Sequence, residues 1–247
     1  MEWHEHDGVR WLAAGLPAAT AAFSTRAGGV SNEPFDSLNL GILTGDDRDA
    51  VLANRIRLAD ALGRAPERVL MGRQVHGSEL LGHVVAQDPS PYARPGSPLP
   101  DVDGHFSADP GLTPLVLVAD CLPVALAGPG GVAMLHCGWR GLADGILARG
   151  AAAVQASAAA VGPGIGPCCY EVGPEVLDRF GELGEGIAEG RMLDLPEVAC
   201  RLLREVGVEQ VESAGLCTSC EPELFFSHRR DGGNTGRQGG LVWGEAA

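Results

Sequence analysis

Two apolar runs of the chain end in reactive side chains: LVLVADC closes on Asp120 and Cys121, and GGVAMLHC closes on His136 and Cys137. A further histidine, His76, stands in RQVHG. A thiolate and two imidazoles suit a borderline-soft ion such as zinc, and three protein ligands leave a fourth tetrahedral position for water or substrate, as catalytic sites do. The spacings, 45 residues from His76 to Cys121 and 15 more to His136, are not those of a zinc finger. A site therefore requires a fold that gathers strand ends at one mouth. Otherwise Cys121 is a small buried apolar side chain and His136 a hydrogen-bonded core histidine.

Other clusters invite weaker readings. Cys217 and Cys220 form a CxxC, but a structural zinc site needs a second pair, and the adjacent Cys168 and Cys169 are expected to be a strained substitute, so these cysteines read as structural or incidental. GPGIGP superficially matches a dinucleotide-binding loop, yet Pro163 and Pro167 remove amide donors that a phosphate would need, and no clear helix follows. Arg26, Arg140, Arg229 and Arg230 lie in Gly-rich loops, where guanidinium forks can grip phosphate or carboxylate.

The elements that must position these residues are read from periodicity. Short strand-like pieces open the chain, and STRAGGVSNEPFDSLNLG from Ser24 to Gly41 is a loop. DDRDAVLANRIRLADALG predicts a helix capped by Asp46 or Asp47, with Val51, Leu52, Ile56 and Leu62 at helical spacing. PSPYARPGSPLPDVDG reads as a Pro-rich surface loop and the foremost candidate for disorder. LTPLVLVAD, LPVALAGP and GGVAMLH are strands, the Ala-rich stretch from Gly141 to Val161 predicts a helix on a sheet, and LDLPEVACRLLREVG predicts a second. A tail strand follows the loop GGNTGRQGG. Irregular mixing of strands and helices indicates α+β.

Composition narrows the function. With 247 residues, 45% hydrophobic and 20% charged, the chain can bury a substantial core as one large domain or two small ones, and no long flexible linker is evident. A net charge of -14 argues against nucleic acid as a partner, and no apolar stretch approaches the roughly 20 residues that span a bilayer. All 18 Lys and Arg positions are arginine, which excludes Schiff-base lysine chemistry and a Walker-type phosphate lysine. The start, MEWHEHDGVRWL, has neither a basic nor an apolar signal region and is expected to be mobile. Seven cysteines without framework spacing fit reduced thiols, so the cytoplasm is the expected compartment.

Taken in order, STRAGGVSNEPFDSLNLG with GDD, RQVHG, VADCLPV, HCGWRG, GPGIGPCCYEVG and FFSHRRDGGNTGRQGG resemble the blocks of the YfiH-type laccase-domain family, formerly called multicopper polyphenol oxidases, over about residues 24–243. The resemblance implies a single domain over residues 1–247, a four-layer α/β/β/α sandwich with mixed β-sheets, and one zinc held by His76, Cys121 and His136. It also implies a purine nucleoside and inorganic phosphate as partners: phosphorolysis of adenosine, inosine, guanosine or methylthioadenosine, with adenosine deamination in some members. In those terms His76, Cys121, His136 and Arg140 are the catalytic candidates. Arg26 and Arg229 are expected at the phosphate, and Asn39 and Gln74 at the purine edge or sugar hydroxyls. Two departures stand out: His105 replaces a commonly apolar residue, and Cys137 a small one, which is expected to set a thiol beside the metal.

Three other readings stand beside this one. Cys121 with His136 as its base would serve a Cys-His hydrolase, related to peptidoglycan-precursor editing. A copper-dependent polyphenol oxidase fits poorly, because the chain has only seven histidines for several copper centres, and copper binding would be adventitious. A zinc-stabilised binding protein without turnover is the third. Oligomeric state is not read from the sequence.

Overall fold

The computed structural model describes residues 1–245. The chain opens with three strands, β1 (Glu2–His6), β2 (Val9–Leu16) and β3 (Ala19–Ser24), and a long loop leads to helix α1 (Arg48–Ala61). Strands β4 (Val69–Leu70), β5 (Leu80–His83), β6 (Gly104–Ser107), β7 (Thr113–Val118), β8 (Leu122–Gly128) and β9 (Gly131–Cys137) form the middle of the chain. Then come α2 (Trp139–Ala143), α3 (Ile146–Val154), β10 (Ala158–Val161) and α4 (Pro174–Asp178). Last are β11 (Ala188–Glu189), β12 (Met192–Leu193), α5 (Leu195–Glu205), β13 (Gln210–Ser213) and β14 (Gln238–Gly244).

Two six-stranded mixed sheets result, in the orders β1-β2-β3-β14-β7-β4 and β13-β10-β8-β9-β6-β5, with β11 and β12 as a separate pair. The inner faces meet through Ala14, Ala21, Phe23, Val116, Met134, Ala160 and Val242. The outer face of the second sheet packs on α3 and α5 through aliphatic side chains that include Val124, Leu126, Leu135, Ile146 and Leu203, whereas that of the first is covered by α1 through Leu58, Leu115 and Leu241. Helices, sheet, sheet and helix therefore form the four layers expected of an α+β sandwich.

Several elements differ from the sequence expectation for identifiable reasons. The Ala-rich run is not one helix: Gln155 takes a left-handed conformation (φ 50°) that ends α3, and Ala158–Val161 becomes an inner strand of the second sheet. Small side chains that favour a helix in isolation also fit a strand buried on both faces, and tertiary packing decides. Asp47 caps α1, accepting from the amides of Asp49 and Ala50, but the buried face of that helix carries Asn54 and Arg55, and Ile56 is exposed. The Asn54 side-chain amide donates to Ser31 Oγ and to the carbonyls of Ser37 and Asn39, so a polar residue organises the loop above it.

The Pro-rich stretch is ordered, not disordered. Tyr92 is fully buried and donates its hydroxyl to the Arg55 carbonyl (2.7 Å), while Arg55 Nη1 donates to the carbonyls of Pro91 and Tyr92. The first residues, expected to be mobile, form edge strand β1, where His4 stacks on Trp11.

His83 and His105, from neighbouring strands β5 and β6, meet at 3.0 Å (Nε2 to Nδ1). Burial, and secondarily His83, push His105 down to about 3, and burial lowers His83. The unfolded chain takes up these protons near the ordinary 6.5, so it binds more protons than the folded state below that value; stability is intact above it and is lost as pH falls towards 3. Denaturation midpoints at about pH 7 and about pH 5 should differ less in His105→Asn than in the parent protein, and equal pH slopes would remove the His pair as the cause.

Candidate metal centre

Strand parity explains why His136 faces the space between the sheets. Along β9, Val132 and Met134 point to the inter-sheet core and Ala133, Leu135 and Cys137 to the helices. His136 shares the parity of Met134, whereas Cys137 falls on the opposite face. The expectation that Cys137 sets a thiol beside the metal is thus corrected: it is fully buried with Leu142 and Ile146, and burial raises its pKa.

Cys121 lies on the link that carries the chain from β7 in one sheet to β8 in the other. Asp120, just before it, adopts φ 89°, a conformation that costs a non-glycine residue about 1–2 kcal/mol. Two contacts hold it there: Thr218 Oγ1 donates to Asp120 Oδ1 (2.7 Å), and the Arg229 amide donates to Oδ2 (2.6 Å). His76 also sits at positive φ, 62°. Its loop is pinned by one carboxylate, because the amides of Val75, His76 and Gly77 all donate to Asp103 (3.2, 2.9 and 2.7 Å).

The same Asp103 carboxylate accepts from His136 Nδ1 at 2.8 Å. That bond fixes the imidazole orientation and leaves Nε2 as the ligand atom, the role that an outer carboxylate plays towards a metal-binding histidine. The ligand atoms of His76, Cys121 and His136 lie within 4.8 Å of one another, and the two imidazoles meet edge to face with centroids 4.8 Å apart. Gly138 makes the approach feasible, since a Cβ there would stand 3.1 Å from Cys121 Sγ and 3.2 Å from His76 Cδ2. The donor set and its buried carboxylate support fit a single tetrahedral ion such as zinc, with His76 on the exposed side.

The charges agree with that use. Burial opposes ionisation of Cys121, but His136 and His76 more than offset it and lower the thiol pKa. Burial likewise opposes the charged form of His136, and Cys121 and Asp103 overcome it and raise the imidazole pKa. Asp103 itself stays low because His136 and the amides of Gly77 and Val75 outweigh its burial. A cation held by these ligands would take the place of the proton between thiolate and imidazole.

The cluster lines a cavity of about 460 Å³, within the range of small-molecule sites. Its lining combines the apolar side chains of Leu43, Met71, Leu99, Leu117 and Ile165 with the polar and aromatic ones of Trp139, Arg140, Tyr170, His228, Arg229 and Arg237. Arg140 stacks on Trp139 and Arg229 over Tyr170, and Arg229 donates to the carbonyls of Cys169 and Glu171. Among the described residues, the arginines paired with carboxylates include Arg26, Arg73 and Arg230, but not Arg140, Arg229 or Arg237. An acidic protein thus holds a local cationic wall. Burial lowers the pKa of Arg237, with Cys121 and Asp120 opposing. Burial also raises Tyr170 to about 12, so its phenol remains a neutral donor.

The remaining sequence candidates fall elsewhere or are occupied. Arg26, expected at the phosphate, is not part of the cavity lining: it donates to the Asp36 carbonyl and carboxylate and to the Pro222 carbonyl, and stacks on Phe226. Asn39 is fully buried beneath the loop and bridges Gly41, Thr44, Asp46 and the Arg237 amide, so it positions the wall rather than reaching a ligand. Gln74 does line the cavity, but its side-chain amide pairs with the backbone of Leu117 in both directions (2.5 and 2.9 Å). Asp103, Arg237 and Tyr170 were not read from the sequence as site residues. The first was hidden in the Pro-rich stretch; the second stood in the quoted block GRQGG, where its cation was a usable signal.

Fold and site define a class of protein: a four-layer α+β sandwich with a His₂Cys ligand cluster in an arginine-lined cavity. The family model described as "Multi-copper polyphenol oxidoreductase laccase" matches residues 20–245. The chain is 38% identical to the purine nucleoside phosphorylase YlmD of Geobacillus stearothermophilus, over 92% of each chain. It is also 38% identical to the purine nucleoside phosphorylase YfiH of Escherichia coli, over 90% of this chain and 93% of that protein. Among solved structures, that of YlmD from Geobacillus stearothermophilus superposes with TM-score 0.88 at 34% identity, covering 98% of both chains. That of the Bacillus licheniformis hypothetical protein YfiH gives 0.86 at 32% identity over 99% of both. The chain belongs to this YfiH-type laccase-domain family.

Two substitutions separate the roles assigned above. Asp103→Asn should weaken metal affinity about 10–100-fold in a competition titration with a chromogenic chelator, and an unchanged affinity would remove its orienting role. Arg26→Ala should lower stability by about 1–3 kcal/mol while leaving the affinity for inorganic phosphate unchanged.

Proposed function

We propose that the protein is a zinc-dependent purine nucleoside phosphorylase, cleaving adenosine, inosine, guanosine or methylthioadenosine with inorganic phosphate, and that it also deaminates adenosine. The observation that carries this reading is one cavity uniting the His76, Cys121 and His136 ligand cluster with Arg140, Arg229 and Arg237. The names of the similar proteins, purine nucleoside phosphorylases, support it.

Zinc held by the three ligands would supply Lewis acidity, the property that deamination of a purine C6 requires of a metal. For phosphorolysis, a phosphate oxygen attacks the ribose C1′, the glycosidic C–N bond breaks, and its electron pair leaves with the purine. Arg229 and Arg140 hold the phosphate through charge-assisted hydrogen bonds, and Arg237 adds cationic field from the cavity wall. Tyr170, kept protonated by burial, is placed to donate a hydrogen bond to the leaving purine or the sugar. The apolar side chains Met71, Leu99 and Leu117 of the lining take the base and exclude water from it. No helix of the described residues is long and apolar enough to cross a membrane. A cytoplasmic location, where nucleosides and phosphate meet, belongs to the same proposal.

A second reading rests on one observation. Asp103, His136 and Cys121 are arranged as an orienting carboxylate, a base and a thiol, which without metal would be the parts of a cysteine hydrolase. A thiolate committed to zinc is a poor free nucleophile, so metal content separates the two.

Purified protein of known metal content is incubated with adenosine, with and without inorganic phosphate, and the bases are resolved by chromatography. Adenine that depends on phosphate and is lost in His76→Ala and Cys121→Ala is expected, with inosine reporting deamination. Arg229→Ala should raise the phosphate KM at least about 10-fold more than the nucleoside KM, and equal effects on both would sink its phosphate role. Absence of any product from protein that retains zinc would overturn the phosphorylase reading.

A further inference from the structure

The four cysteines that look incidental in sequence come together in space. The sulfur atoms of Cys168, Cys169, Cys217 and Cys220 all lie within 4.8 Å of one another. Cys168 Sγ stands 3.3 Å and Cys169 Sγ 3.5 Å from Cys220 Sγ. Tetrahedral zinc with bonds of about 2.3 Å to sulfur sets its ligands about 3.8 Å apart, within this spread and well beyond the roughly 2.05 Å of a disulfide.

The fold explains the convergence. β10 and β13 are parallel neighbours, so the loops that follow them leave the same end of the sheet. A bridge between Gly164 and Cys217 prolongs their pairing, and the Thr218 amide donates to the Gly164 carbonyl at 3.0 Å. A tight turn in which the amides of Cys169 and Tyr170 both donate to the Gly166 carbonyl folds the adjacent pair back onto the CxxC. The Gly166 amide also donates to Cys217 Sγ at 3.3 Å, the kind of N–H to sulfur contact that favours a thiolate. Gly166 has no side chain to obstruct this approach, since a Cβ there would lie 3.3 Å from Cys217 Cβ and 3.5 Å from Cys168 Sγ. Cys168 and Cys220 are exposed, so an ion can enter directly from solvent.

We propose that Cys168, Cys169, Cys217 and Cys220 form a second metal site, a tetrathiolate that binds one soft divalent cation, zinc first among them. It is separate from the His76, Cys121 and His136 cluster and closed to substrate, because all four positions are protein sulfur. Each thiol sheds its proton on ligation, and the ion ties the two loops into one unit. Those loops bear on the cavity: Cys169 and Glu171 offer the carbonyls that hold Arg229, Tyr170 lines the wall, and Thr218 holds Asp120. The site is a clamp on the rim of the cavity rather than part of the chemistry.

The test is metal counting by mass spectrometry on protein purified under reducing, anaerobic conditions, together with cobalt substitution. Two zinc per chain are expected in the parent protein, one in Cys220→Ser and one in Cys121→Ala. The intense sulfur-to-cobalt charge transfer of a tetrathiolate should persist in Cys121→Ala and vanish in Cys220→Ser. Cys168→Ser, also at the surface, provides an independent variant, and circular dichroism confirms that each is folded. Equal metal content and spectra in the parent protein, Cys220→Ser and Cys168→Ser would overturn the proposal, as would an intact mass showing a disulfide among these cysteines. The readout is independent of turnover: an inactive protein that still loses one zinc in Cys220→Ser upholds this site while the phosphorylase reading fails.

Discussion

The buried Asp103 carboxylate holds the candidate centre together. It is fully buried, and its cost of desolvation is offset by four hydrogen bonds, three from the consecutive amides of Val75, His76 and Gly77 and one from His136 Nδ1. One group thereby fixes a ligand on a rigid strand relative to a ligand on a loop. His76 reaches its position only through a left-handed backbone, and a conformation of that kind persists where surrounding bonds over-determine it. The His136 amide also donates to the Asp103 carbonyl at 2.7 Å, so both ends of the aspartate engage the same partner strand.

Around that anchor the chain solves an electrostatic problem. A net charge of -14 repels phosphate at long range, yet the cavity presents arginines whose neighbours are carbonyls and aromatic faces rather than carboxylates. Carbonyl acceptors and ring faces orient a guanidinium without cancelling its charge, as an ion pair would. Arg26 and Arg73 show the opposite choice: each is bound to an aspartate, and each serves the architecture.

Legibility in the sequence followed the strength of the local signal. The β8–β9 hairpin and α5 carried clear periodicity and α1 a clear cap, and the three candidate ligands were picked out by the metal-binding chemistry of a thiol and two imidazoles, although the sequence left Cys121 and His136 an ordinary place in the core. The four-layer arrangement came from the resemblance of ordered blocks, not from periodicity. Asp103 was not legible, since a Pro-rich stretch gives no local sign that its last residues will be buried under another loop. Arg26 misled for the converse reason: a Gly-rich loop leaves an arginine's charge free only if no carboxylate captures it, and here Asp36 does, away from the cavity lining. The clustering of Cys168 and Cys169 with Cys217 was not legible, because it depends on the parallel pairing of β10 and β13, a contact between distant parts of the chain.

The pleat of β9 has an evolutionary consequence. His136 faces the cavity and Cys137 the helices, and the hairpin pairs them with Pro123 and Leu122. A deletion or insertion of one residue within the strand would exchange imidazole for thiol at the mouth of the cavity and turn the whole aliphatic set over at the same time. A change of length within either strand is therefore disfavoured, and the turn where Pro129 and Gly130 join β8 to β9 gives little relief, because the Gly130 amide donates to the Val154 carbonyl at 3.0 Å and a Cβ at Gly130 would stand 2.9 Å from Val154. The hairpin can accept substitution, but its alternation of inward and outward positions has to be kept whole.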